Sequence, residues 1–130
     1  MYISPVERMK KIHLWIGTTA VDEAVYNLYF DQEDELSQFS KDIGLAEEYD
    51  EDFIGILPIF KNPPPIKELL EKEIPIDKDS IAEVLAVCET MGIHSINAAF
   101  YLTDSTIAIA KPNKKEYNGL RYLGEYKSAL

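Results

Sequence analysis

With 130 residues, 46% of them hydrophobic and 28% charged, the chain has the size and make-up of one soluble globular domain, expected to span residues 1–130. A formal net charge of −10 argues against nucleic acid or an anionic membrane as partner, because phosphate contacts need lysine and arginine in excess. No apolar run approaches the roughly 18 residues of a membrane helix, and MYISPVERMKK lacks the apolar stretch of a secretory signal, so the expected compartment is the cytoplasm.

The first element in chain order is Lys11 to Gly17, KIHLWIG, which sets Ile12, Leu14 and Ile16 on one side and His13 and Trp15 on the other. That period of two predicts a strand that is apolar on both faces. Thr19 followed by Asp22 resembles a capping box, and Val21, Val25 and Leu28 then fall at helical spacing, predicting a helix from about Ala20 to Phe30. Ser37 to Ile43 offers one or two more helical turns, with Phe39 and Ile43 on one face and Gly44 just past the end.

Asp31 to Phe53, DQEDELSQFSKDIGLAEEYDEDF, holds ten carboxylates against the single base Lys41, so nearly all of the charge imbalance sits here. Asp31, Glu33, Asp34, Glu35, Asp42, Glu47, Glu48, Asp50, Glu51 and Asp52 repel one another when the chain compacts. Leu36, Phe39, Ile43, Leu45, Tyr49 and Phe53 interrupt them, a spacing of apolar anchors unlike that of a disordered acidic tail. The acids are therefore expected on ordered structure, either as a solvated face that aids solubility or as a docking surface for a basic partner.

Phe53 to Phe60, FIGILPIF, is ambiguous. Asp50 is placed to cap a short helix, whereas the β-branched content and Gly55 favour an edge strand, which is the reading preferred. The NPPP break at 62–65 leads into a short amphipathic run, IKELLEKE. Ser80 with Glu83 forms a second capping box, and Ile81, Val84, Leu85, Cys88 and Met91 trace a helical stripe that ends at Gly92.

From Ser95 the pattern changes to strands. SINAAFYLT and STIAIAK predict a hairpin turning near Thr103, Asp104 and Ser105, and after the Pro112-Asn113 turn KKEY and LRYLGEY flank Asn118-Gly119. The expected class is α+β: an antiparallel sheet made of the N-terminal strand and a C-terminal meander, with the two main helices packed on one face.

Catalytic signatures are sparse. Cys88 lies mid-helix on an apolar stripe, reads as a small hydrophobe and, as the one cysteine, forms no internal disulfide. His13 and His94 have no HExxH or cysteine cluster around them, and the phosphate-binding glycine signatures and a GxSxG elbow are missing. A calcium loop beginning at Asp50 fails at Ile54 in its fifth position and at Lys61 in its twelfth. No catalytic residue, metal ligand or cofactor is therefore assigned. A looser divalent-metal site, for Mg²⁺ or Mn²⁺, among Asp42, Asp50, Glu51 and Asp52 stays open as an enzymatic alternative, which a concave site gathering three or more of those acids would favour. A non-catalytic adaptor domain is the other alternative.

With HLWIG at His13 to Gly17, YF at Tyr29 and Phe30, FSKDIG at Phe39 to Gly44 and YDEDF at Tyr49 to Phe53, the first 60 or so residues resemble the immunity protein 22 group of bacterial polymorphic-toxin systems. The resemblance implies a non-enzymatic protein that binds and neutralises a cognate toxin. A nuclease toxin carries a basic surface to hold phosphates, which an acidic inhibitor occupies directly. On this reading the partner-binding residues are the ten acids named above, with Tyr29 and Tyr49 as aromatic anchors beside them.

Overall fold

The computed structural model describes residues 4–109 and 115–130. Four strands, β1 (Lys11–Gly17), β2 (Ile54–Ile56), β3 (Ala98–Leu102) and β4 (Leu120–Lys127), form one antiparallel sheet in the order β2-β3-β1-β4. Five helices accompany it: α1 (Pro5–Arg8), α2 (Glu23–Leu28), α3 (Gln38–Asp42), α4 (Ile66–Lys72) and α5 (Ile81–Met91). The class is α+β, as expected.

β1 is central because it is apolar on both sides. Ile12, Leu14 and Ile16 face a core completed by Leu69 and Leu70 of α4 and by Ile81, Val84 and Cys88 of α5. Trp15 faces a second core of rings, stacked on Phe100 at 4.8 Å between centroids and meeting Phe39 edge-on at 5.3 Å. Offset and edge-on ring pairs add to the burial term. Two cores require two covering layers, so the helices do not share a face: α4 and α5 cover one side, while α2, α3 and the acidic segment cover the other.

The C-terminal strands also differ from the expected meander. β3 and β4 each pair with β1 rather than with one another, since β1, buried on both faces, fills the centre of the sheet. Residues 105–109 form no strand, while Ala110 and Lys111, the Pro112-Asn113 turn and Lys114 lie outside the described residues. The return is pre-empted at Asp104, whose carboxylate accepts from the Thr106 N–H at 3.0 Å and from Arg8, while Ser105 N–H donates to the Arg8 carbonyl. The Asn118-Gly119 turn forms as expected, with φ of +57° and +85° and a reciprocal backbone pair between Tyr117 and Leu120.

α2 is shorter than expected and buries a different face. Its N-cap is Asp22, which accepts from Val25 N–H at 2.9 Å, and Thr19 is left outside the helix. Val21, Val25 and Leu28 are 42%, 51% and 67% exposed. The buried side is aromatic: Tyr26 and Phe30 enter the ring core and Tyr29 lies half-buried beside them. Two stripes compete along this segment, and the one at 26, 29 and 30 wins because each ring buries more area than a valine. At α5 the Ser80 capping box is replaced by a 3₁₀ turn, Lys78–Ser80, capped by Asp77. Its stripe is as expected, with Ile81, Val84 and Cys88 buried and Gly92 closing the helix at φ +73°.

Candidate interaction site

The acidic segment is folded as two loops joined by α3. Ser37 caps α3 by accepting from Ser40 N–H at 3.0 Å, and Phe39 and Ile43 anchor it in the ring core, with Gly44 at φ +82° just past its end. Before it run Asp31 to Glu35, all exposed except Gln32; after it run Glu47 to Asp52, exposed except Tyr49. Asp31 turns the first loop by accepting from Glu33 N–H, and Asp50 caps a 3₁₀ turn, Glu51–Phe53, by accepting from Asp52 N–H, each at 3.0 Å. Both expectations for Phe53 to Phe60 are thus partly met: a short helical turn capped by Asp50 comes first, and the edge strand β2 follows.

Two buried side chains hold the loops together. Gln32 Oε1 accepts from Tyr49 N–H at 3.0 Å, and Gln32 Nε2 donates to the Tyr49 carbonyl at 3.2 Å and to Glu51 Oε1 at 3.3 Å. The Tyr49 hydroxyl returns across the gap to donate to the Phe30 carbonyl at 2.7 Å. Between the loops lies an open cleft of about 600 Å³, with Asp31, Glu33, Glu48, Asp50 and Glu51 around Gln32 and Tyr49. Burial, and then the nearby Glu51 and Asp31 carboxylates, push the Tyr49 phenol up to about 12. That phenol therefore stays a neutral donor.

The remaining candidates are distributed around this cleft. Asp34 and Glu35 line a neighbouring hollow with Lys41, whose Nζ is 3.8 Å from Glu35. Glu47 and Glu48 border another hollow beside Arg8, which is paired with Asp104 at 2.6 Å. Asp52 is exposed but lies outside the lining of the main cleft. Asp42 is the exception among the acids: it is buried, accepting from Tyr29 Oη at 2.7 Å and from Gln38 Nε2 at 2.8 Å. Burial and the Asp42 carboxylate together push the Tyr29 phenol upward. Tyr29, with its ring against Phe30 and Phe39, and Tyr49, 5% exposed, thus brace the loops from inside.

Of the four acids considered for a metal site, only Asp50 and Glu51 line the cleft, Asp42 being engaged with Tyr29. Among the described residues no group of three or more histidine, cysteine, aspartate or glutamate side chains is placed to hold a metal ion. Cys88 is buried and burial raises its thiol to about 11, as suits a core side chain. His13 is buried too. Its Nε2 is 2.7 Å from the Ile107 carbonyl, which only accepts, so Nε2 carries the proton and Nδ1 accepts from Tyr122 Oη at 2.8 Å. Sequence reasoning missed Gln32, an uncharged residue inside a run of acids whose role depends on a partner 17 positions away, and it missed Val25 and Leu28 as surface.

The chain matches the family described as Immunity protein 22 over residues 12–128, nearly its whole length. Searches of curated proteins and of solved structures gave no significant match. The matched span includes both acidic loops, α3 and all four strands.

Proposed function

The chain belongs to the Immunity protein 22 family, which gives it a toxin-neutralising role, and from that premise we propose that it binds a basic toxin domain, a nuclease, through the two acidic loops. The observation that carries this reading is the cleft between them, where Asp31, Glu33, Glu48, Asp50 and Glu51 converge around the Gln32–Tyr49 link. Carboxylates held on a braced frame present fixed negative charge where a nuclease would hold substrate phosphates. A frame already ordered before binding loses little entropy on contact.

Opposite charge raises the rate of encounter, up to around 10⁸ to 10⁹ M⁻¹s⁻¹ at low salt. Speed of capture is what a protein needs when it must inactivate a toxin before damage accrues in the cytoplasm. No catalytic step is required of the inhibitor, and its function needs no metal or cofactor. Among the described residues no helix is long and apolar enough to cross a membrane.

The test is protection of cells expressing the cognate toxin domain, together with binding kinetics as a function of salt. Neutralising the rim as Asp31→Asn, Glu33→Gln, Glu48→Gln and Asp50→Asn is expected to abolish protection and to slow association, flattening its salt dependence. Neutralising Asp50, Glu51 and Asp52 together is expected to act the same way. Full protection by both sets would place the interface elsewhere.

A further inference from the structure

The cleft does not end at the carboxylates. It continues into an apolar groove between α2 and the edge strand β2, lined by Ala24, Leu28, Phe30, Ile54 and Ile56, and Asp31, Glu33, Tyr49 and Glu51 border both. Glu23 at the start of α2 accepts from Ile59 N–H at 2.8 Å through Oε1, tying the helix to the chain just past β2. On the outer surface of α2, Val25 and Leu28 lie three residues apart and are 51% and 67% exposed, with Val21 just ahead of the helix at 42%.

Three of the five large hydrophobic residues exposed among the described residues therefore sit on or beside one short helix, next to the densest negative charge of the chain. β2 adds a further feature. Phe53 O accepts from Thr103 N–H, just past β3, and Leu57 N–H donates to the Ala99 carbonyl in β3, so by the alternation of an antiparallel ladder the N–H and C=O groups of Ile54 and Ile56 point outward, along the open side of the sheet.

Resting on the toxin-binding reading, we infer that the energetic centre of the contact is this α2–β2 groove, and that its occupant is a segment of the toxin domain carrying an apolar side chain flanked by lysine or arginine. The groove supplies the desolvated centre, and the acids on its border supply the charged rim that matches the flanking bases. The two parts act on different rates. Rim charges govern association and its salt dependence, whereas buried apolar anchors govern dissociation.

The experiment uses full-length protein and the catalytically inactive form of the toxin domain whose growth arrest this chain relieves. Leu28→Ser is compared with the rim-neutralised variant and with Leu130→Ser, an exposed leucine that lines neither cleft nor groove. Leu28→Ser is expected to speed dissociation at least about tenfold, with association and its salt slope unchanged. Leu130→Ser is expected to do nothing, and unchanged melting temperatures show that all variants fold. A parental dissociation rate for Leu28→Ser would overturn the groove while leaving toxin binding intact; failure of the parent to bind would remove both. If the protein alone forms a dimer that Leu28→Ser dissolves, the occupant is a second copy and the inference is wrong.

Discussion

Gln32 pairs with the backbone of Tyr49 through both ends of its amide, accepting from the N–H at 3.0 Å and donating to the carbonyl at 3.2 Å, much as a neighbouring strand residue would. Both residues are buried, so these groups have little access to water as a substitute. Removing the amide leaves the Tyr49 N–H and carbonyl without it. Gln32→Ala is expected to lower stability by about 1–3 kcal/mol in chemical denaturation. Gln32→Glu is expected to be worse, because it replaces the donor by an acceptor facing the Tyr49 carbonyl and adds charge among Asp31, Glu33 and Glu51. A Gln32→Glu variant as stable as the parent would show that the two loops are held by other contacts.

His13 ties stability to pH. Burial holds its imidazole below the ordinary value of 6.5, against the opposing pull of the Ile107 carbonyl and of the Glu125 and Asp104 carboxylates. Between the lowered folded value and the unfolded one near 6.5, the unfolded chain binds a proton that the folded chain does not, so stability falls as pH falls. The contribution is complete above about pH 6.5 and is lost progressively below it until the folded-state value is reached. Urea unfolding at pH 8 and at pH 5 is expected to show a smaller difference for His13→Gln than for the parent, since glutamine does not titrate. Equal differences would mean that His13 gains its proton as easily folded as unfolded.

Much of the architecture was legible because it rests on local patterns. Ile12, Leu14 and Ile16 alternating with His13 and Trp15 announce a strand buried on both sides, and Ile81, Val84 and Cys88 ending at Gly92 announce a helix. Where the reading diverged, two local solutions competed and a distant partner decided. Val21, Val25 and Leu28 have helical spacing, yet the rings of Tyr26 and Phe30 fill the space beneath Trp15 and Phe100, which no window around residue 25 contains. Arg8 captures Asp104 from 96 positions away, so the turn after β3 is spent on α1 rather than on a hairpin. The site was visible as charge, but not as shape. Gln32 and Tyr49 bring the loops together through contacts 17 residues apart, and nothing in a count of carboxylates indicates that Asp42 is turned inward to Tyr29.

Asp104 is expected to be a second pH-dependent support. It is 2% exposed and accepts from Arg8 Nη2 at 2.6 Å and from Thr106 Oγ1 at 2.6 Å, while the Arg8 guanidinium lies 4.4 Å from the Phe53 ring centroid. Burial alone would raise this carboxyl, but the hydrogen bonds from Arg8 and Thr106 outweigh it and hold it below the ordinary value of 3.8. A depressed folded value means that the stability is present above about pH 4 and disappears as pH falls through that value. Asp104→Ala is expected to destabilise by about 2–4 kcal/mol at neutral pH, because it removes the carboxylate that pairs with Arg8 and accepts from both Thr106 donors. The gap between parent and variant is expected to narrow in acid, and a gap constant from pH 7 to pH 2 would refute the assignment.

Gly55 and Tyr101 face each other across β2 and β3, and the tyrosine ring lies where a side chain on residue 55 would begin. A Cβ built on Gly55 falls 2.1 Å from Tyr101 Cζ, so Gly55→Ala forces the ring to move. The ring packs against the core that contains α4 and α5, and displacing it is expected to cost about 1–3 kcal/mol. The diagnostic is the coupling rather than the single variant. In a Tyr101→Ala background the space is already open, and Gly55→Ala is expected to be near neutral or mildly stabilising there, since alanine restricts the unfolded chain more than glycine does. An interaction energy of at least about 1 kcal/mol in the double-mutant cycle is therefore expected. A Gly55→Ala penalty that persists in the Tyr101→Ala background would locate the strain in the backbone of β2. Because Ile54 and Ile56 flank Gly55 and line the groove, the same cycle measured on toxin dissociation reports how firmly this edge must be held for binding.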